Sequence, residues 1–116
     1  MVLVDTSVWI DHLRRGNAKL AALLEESGVL THPFVIGELA CGSPNGRSEF
    51  LSLLSELPSV VMAEDREVRE FLEREQLFGK GLGWIDVHLL ASASITGCGL
   101  WTLDRALGAA VRRLKI

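Results

Sequence analysis

Two rhythms of apolar residues run through the chain. The first is a set of short, nearly unbroken apolar runs: MVLVD at 1–5, VLTH at 29–32, SVVMA at 59–63 and GLWTL at 99–103. Runs of this length without alternation have the form of strands buried on both faces. The second rhythm is helical. It predicts helices over 7–15 and 17–27, the latter opened by Asn17 as a cap and closed near Gly28. Pro33 suits the first turn of a helix continuing through FVIGELACG. Further helices are predicted over 47–56, over a charged segment capped by Asp65, over 84–96 and over 104–113. The segments SPNG (43–46) and GKGLG (79–83) read as turns, and the terminal LKI as a short edge strand.

Strands that alternate with helices predict a mostly parallel sheet of four to five strands between layers of helix, a three-layer α/β/α domain. With 116 residues the chain has the length of one domain, 1–116. Its 48% hydrophobic and 23% charged residues are those of a globular protein and exclude a disordered one. Cys41 and Cys98 stand in apolar surroundings without metal-ligand spacing, which predicts two buried, reduced thiols. The N-terminus carries Asp5 and no basic leader, unlike a signal peptide. The longest stretch free of Asp, Glu, Lys and Arg, Val87–Leu103, contains His88 and two glycines and falls short of a membrane span. The expectation is a soluble, cytoplasmic protein. A net charge of −3 argues mildly against a nucleic-acid binder, but EDREVREFLERE (64–75) holds much of the acid.

Four carboxylates stand in unusual places. Asp5 follows MVLV and Asp104 follows GLWTL, so both lie at the carboxyl edge of a predicted strand, where such sheets bind ligands. Helix capping is the competing explanation for each, because both also precede a helix. Glu38 has Phe34, Val35 and Cys41 as its helical neighbours, and Asp86 shares a face with Leu89, Leu90 and Ala93. Both acids are therefore expected to point with an apolar stripe. A buried carboxylate without a partner costs several kcal/mol. No Lys or Arg lies in either apolar helix, so a divalent cation is the partner that satisfies all four acids. All-oxygen ligation favours Mg²⁺ or Mn²⁺ over zinc.

These segments carry a family resemblance. VLVDTSVWID, FVIGELACG, WIDVHLLASA and GLWTLDRAL stand in the order of the four motifs of PIN-domain nucleases and span residues 2–107. Within that superfamily the chain resembles the VapC toxins of bacterial toxin–antitoxin pairs. The resemblance implies an RNA endonuclease that uses water attack and leaves 5′-phosphate and 3′-hydroxyl ends. Asp5, Glu38 and Asp86 would be the primary ligands or water-activating groups for one or two ions, with Asp104 completing the pocket. Thr6, Ser7 and Thr102 are candidates for orienting these carboxylates, with local backbone capping as the alternative. The resemblance also implies a transfer or ribosomal RNA substrate, a VapB-type antitoxin as partner and association as a homodimer.

Other features add less. Lys80, Arg105, Arg14 and Arg15 could rim the site or simply face solvent, and Trp9, Trp84 and Trp101 read as core. His32, at a strand end near the Glu38 helix, is the only histidine placed to matter. Leu20, Leu23 and Leu24 read either as an exposed interface or as core. A phosphatase-like or receiver-like protein with Asp5 as nucleophile is disfavoured, because Ser7 replaces the second Asp that the former needs and no lysine ends the GLWTL strand. The remaining rival is a catalytically inactive PIN-fold module that binds RNA or protein.

Overall fold

The computed structural model describes all residues, 1–116. Three strands are formed: β1 (Val2–Val4), β2 (Val29–Leu30) and β3 (Gly99–Trp101). They build one parallel sheet in the order β2-β1-β3, with Leu3 opposite both Leu30 and Leu100. Seven helices connect and flank them: α1 (Thr6–Arg15), α2 (Ala18–Glu25), α3 (Pro33–Ala40), α4 (Arg47–Glu56), α5 (Asp65–Arg74), α6 (Trp84–Thr96) and α7 (Arg105–Leu114). Parallel strands joined by right-handed crossovers place α1–α2 and α6 on opposite faces of the sheet, because the chain moves one way from β1 to β2 and the other way to reach β3. α3 bridges α1 and α4, while α5 packs on α6 and α6 on β3. The α/β layering expected from the apolar rhythm is therefore present.

The sheet has three strands and not the expected four to five. SVVMA contributes a single bridge, Ser59 to Thr31. Beyond it the backbone donors turn to helix hydroxyls: Val61 N–H donates to Thr96 Oγ1 and Ala63 N–H to Ser92 Oγ. Those bonds satisfy the main chain outside the ladder, so the segment runs along α6 as extended backbone without forming a strand. LKI is not an edge strand either. Leu114 ends α7, Lys115 takes a left-handed conformation, and Ile116 N–H returns to the Val111 carbonyl, which closes the helix.

The core is continuous from the sheet to both helix layers, with Leu3, Val4, Leu20, Leu89, Leu90 and Leu107 excluded from water. Leu20 is thus core, and Leu23 and Leu24 pack against it half-buried, which removes them as an exposed patch. The cysteines are free thiols as expected, but Cys41 is exposed and Cys98 only half-buried. Cys41 lies at the frayed end of α3, where the chain leaves the core. No helix is long and apolar enough to cross a membrane.

Candidate active site

The strand order reverses direction at β1, and the crevice such a reversal opens lies beyond the carboxyl ends of β1 and β3. Asp5 and Thr102 sit there side by side, each directly after a paired strand residue (Val4 and Trp101). Asp5 N–H donates to the Trp101 carbonyl at 2.9 Å, which continues the ladder one step and fixes the depth of the carboxylate. Asp5 is 7% exposed. Its Oδ2 accepts from Ser7 Oγ at 2.6 Å and from Thr102 Oγ1 at 2.7 Å. Leu103 N–H in turn donates to Ser7 Oγ at 3.0 Å, and Asp104 N–H to Thr102 Oγ1 at 3.0 Å. Ser7 and Thr102 therefore clamp one oxygen of Asp5 and tie the start of α1 to the loop after β3.

Glu38 and Asp86 approach from the helices. Thr6 Oγ1 donates to Glu38 Oε1 at 2.8 Å, which links the first turn of α1 to α3. Asp86 Oδ2 accepts the Gly83 N–H at 2.9 Å in the first turn of α6. Burial raises the Asp86 carboxyl above its ordinary range; the Gly83 hydrogen bond opposes this, and the negative charges of Asp5 and Asp104 add to it. That response places Asp5, Asp86 and Asp104 within one electrostatic neighbourhood. Asp104 caps α7, its Oδ2 accepting the Leu107 N–H at 2.9 Å. The capping and crevice explanations for Asp5 and Asp104 are not exclusive, since each residue satisfies both.

Two expectations about this set need correction. Glu38 is exposed at the rim and not aligned with the apolar stripe, because Val35 and Leu39 carry the buried face of α3. Asp86 is half-buried. Nor do the acids form a ready-made cage: no three Asp, Glu, His or Cys groups stand close enough to share one ion. Like charges on one rim repel, and they spread unless a cation draws them together.

The donor set is nevertheless that of a hard cation. Each of the four carboxylates gives one oxygen to a protein donor and has no protein partner for the other. None of the three ion pairs, Arg15–Asp11, Arg69–Asp65 and Arg74–Glu75, includes any of them. Oriented, unneutralised oxygens of this kind suit a hard divalent cation.

His32 lies outside this group. It is fully buried at the N-cap of α3, where Nδ1 accepts the Phe34 N–H at 2.9 Å. Desolvation, helped by neighbouring His88, lowers its pKa to about 4. Trp9 is core, and Lys19 lies 4.6 Å over the half-buried Trp101 ring. Trp84 departs from the expected core placement. It is exposed, two residues before Asp86, and its ring meets that of His88 edge-on at 4.8 Å. Sequence reasoning missed the cavity beside Glu38, whose lining includes Arg14. The sequence carries no signal for it, because Asp11 stands three residues before Arg14 and four before Arg15, and only the structure gives it to Arg15.

Fold and crevice together define an acid-lined, parallel α/β domain, and residues 2–112 match the PIN domain family. Ribonuclease VapC32 of Mycobacterium tuberculosis, in strains CDC 1551/Oshkosh and ATCC 25618/H37Rv, is 45% identical over 111 residues, 95% of this chain and 90% of that protein. The chain belongs to the PIN-domain family, among its VapC-type ribonucleases. The crystal structure of PAE2754 from Pyrobaculum aerophilum has a similar fold, with a TM-score of 0.62 at 18% identity, covering 98% of this chain and 88% of that one.

Proposed function

We propose that this chain, read as one domain over 1–116, is a divalent-cation-dependent endoribonuclease and the toxin of a toxin–antitoxin pair. The observation that carries the reading is the Asp5 carboxylate. It is buried at the sheet crevice, clamped through one oxygen by Ser7 and Thr102, and has Asp86 and Asp104 as electrostatic neighbours. The 45% identity to a protein named as a VapC ribonuclease supports the same conclusion. Asp5, Glu38, Asp86 and Asp104 would hold one or two Mg²⁺ or Mn²⁺ ions. When bound, such a cation shields the phosphodiester charge and acidifies water for attack.

The remaining work falls to the chain. Ser7 and Thr102 hold Asp5 in one rotamer, so its free oxygen keeps a constant direction. Thr6 does the same for Glu38, and the Gly83 N–H for Asp86. Burial raises the Asp86 pKa, which makes this carboxylate a stronger proton acceptor than an ordinary Asp when no cation is near. The substrate is RNA, of the transfer or ribosomal class. The partners are a VapB-type antitoxin and a second copy of the chain.

Purified protein incubated with total cellular RNA in Mg²⁺, Mn²⁺ or EDTA tests the reading. Discrete fragments are expected with either metal and none with EDTA or with an Asp5→Asn/Asp86→Asn variant. Cleavage that survives both EDTA and the double substitution would overturn it, and so would no cleavage at all by folded, antitoxin-free protein.

A further inference from the structure

A cavity of about 450 Å³ opens between α1 and the α3–α4 loop, and Glu38 lies in its wall. Ile10, Leu13 and Leu39 make part of its wall apolar, while Arg14, Glu38, Ser43 and Asn45 supply polar groups. Arg14 makes neither an ion pair nor a hydrogen bond. Its neighbour Arg15 is bound to Asp11, and Glu38 is turned to Thr6. An unneutralised guanidinium is therefore presented to a concave, partly apolar space that opens on the rim of the acidic site. Resting on the ribonuclease reading above, we propose that this cavity is a subsite for a single-stranded RNA nucleotide flanking the cleaved phosphodiester, with Arg14 holding that nucleotide's phosphate.

The chemistry of the lining matches a nucleotide. The guanidinium fork pairs with phosphate oxygens in two parallel hydrogen bonds. Ile10, Leu13 and Leu39 offer a surface for a base or ribose face, and the Asn45 amide and Ser43 hydroxyl can meet a base edge. The volume is within the range of small-molecule pockets. Thr6, Ile10 and Arg14 follow one another at intervals of four, so they form a single stripe down α1. Eight residues of helix separate Thr6 from Arg14 by roughly 12 Å. That offset assigns Arg14 to a neighbouring nucleotide and not to the reacting phosphate.

The test is binding of a mixed-sequence, twelve-nucleotide 2′-O-methyl phosphorothioate single strand, which resists cleavage, followed by fluorescence anisotropy over a salt series. Arg14→Ala is expected to weaken binding roughly tenfold and to lower the salt slope by about 0.7, while Arg14→Lys keeps the charge and with it the slope. Arg14 is exposed, and thermal melts of both variants check that they fold as the parent does. Equal affinity and slope for the parent and Arg14→Ala would overturn the proposal, as would a parent that does not bind the strand. Loss of binding to an octaglutamate peptide with RNA binding intact would also overturn it, reassigning the cavity to an acidic peptide. Arg14-dependent RNA binding by a parent that cleaves no RNA in Mg²⁺ or Mn²⁺ would sink the nuclease reading and leave the subsite standing.

Discussion

At the scale of single residues, the hydroxyls of Ser7 and Thr102 hold one oxygen of Asp5 at the sheet crevice. Ser7→Ala and Thr102→Val each remove one of the two short bonds to Asp5 Oδ2. Each is expected to lower metal-dependent RNA cleavage by about 10–100-fold, the usual effect of freeing an oriented ligand. Initial rates against Mg²⁺ concentration read this, and a rate equal to the parent's would assign both hydroxyls to backbone capping alone. Asp86 has its own pH behaviour. Its folded-state pKa is raised by burial, so between the ordinary Asp value and that raised value the folded protein binds more protons than the unfolded chain. Stability therefore falls as pH rises through that window. In metal-free buffer, Asp86→Asn is expected to melt above the parent at pH 7, and the advantage should vanish below the ordinary Asp range. Urea midpoints at pH 3 and pH 7 compare the two.

At the scale of elements, Asp104 and His32 each serve a helix end, and in Asp104 that duty can be separated from chemistry. Asp104→Ala removes the cap on the Leu107 N–H and is expected to cost about 1 kcal/mol. Asp104→Asn keeps an acceptor there. It should hold the parent's stability while losing cleavage, and paired denaturation and activity assays on the two variants make the distinction. His32 opens α3, the helix that carries Glu38. Its pKa is lowered to about 4 by burial, so the unfolded chain binds the extra proton first as the pH drops. The stability it contributes is complete above about 6.5, the unfolded value, and is lost as pH falls from there to about 4. His32→Asn retains a capping side chain without titrating, so its melting temperature should fall less steeply than the parent's across that interval. Parallel curves for the two would show that another group governs the acid limb.

At the scale of the whole molecule, the acid-lined crevice is expected to couple folding to cation binding. Four carboxylates without cationic partners destabilise the compact state through mutual repulsion, and an ion that binds only the folded protein reverses this. At a hundredfold excess over its Kd, such an ion adds about 2.7 kcal/mol. Mg²⁺ or Mn²⁺ is thus expected to raise Tm in the parent and to do little in an Asp5→Asn/Asp86→Asn variant. A scan showing equal shifts in both would remove the four acids as the binding site.

Much of this architecture was legible in the chain. The helix over 84–96 lies where the apolar pattern puts it, and α1–α4 and α7 follow within two residues at each end, because caps and breakers such as Asn17, Pro33 and Gly97 act locally; α5 is capped by Glu64 and not by Asp65. Of the four acids singled out, the conflict between a carboxylate and its apolar surroundings that the pattern implies is met at Asp5, which is buried, and partly at Asp86, while Glu38 and Asp104 are exposed. Strand number was not legible, because an apolar run records burial and not where its backbone donors go. In SVVMA those donors meet Thr96 and Ser92, which are more than thirty and almost thirty residues away. The exposure of Glu38 and Trp84 followed the same rule, since helical spacing gives a face but not which neighbour covers it. The amino-acid pattern by itself determined the helices and the parallel α/β class, which rest on local sterics and the hydrophobic period. Only the tertiary structure decided the strand count, the clamp of Ser7 and Thr102 on Asp5 and the cavity that leaves Arg14 unpaired. These depend on contacts between residues up to 97 positions apart, as Asp5 and Thr102 are, and no local rule carries information across that distance.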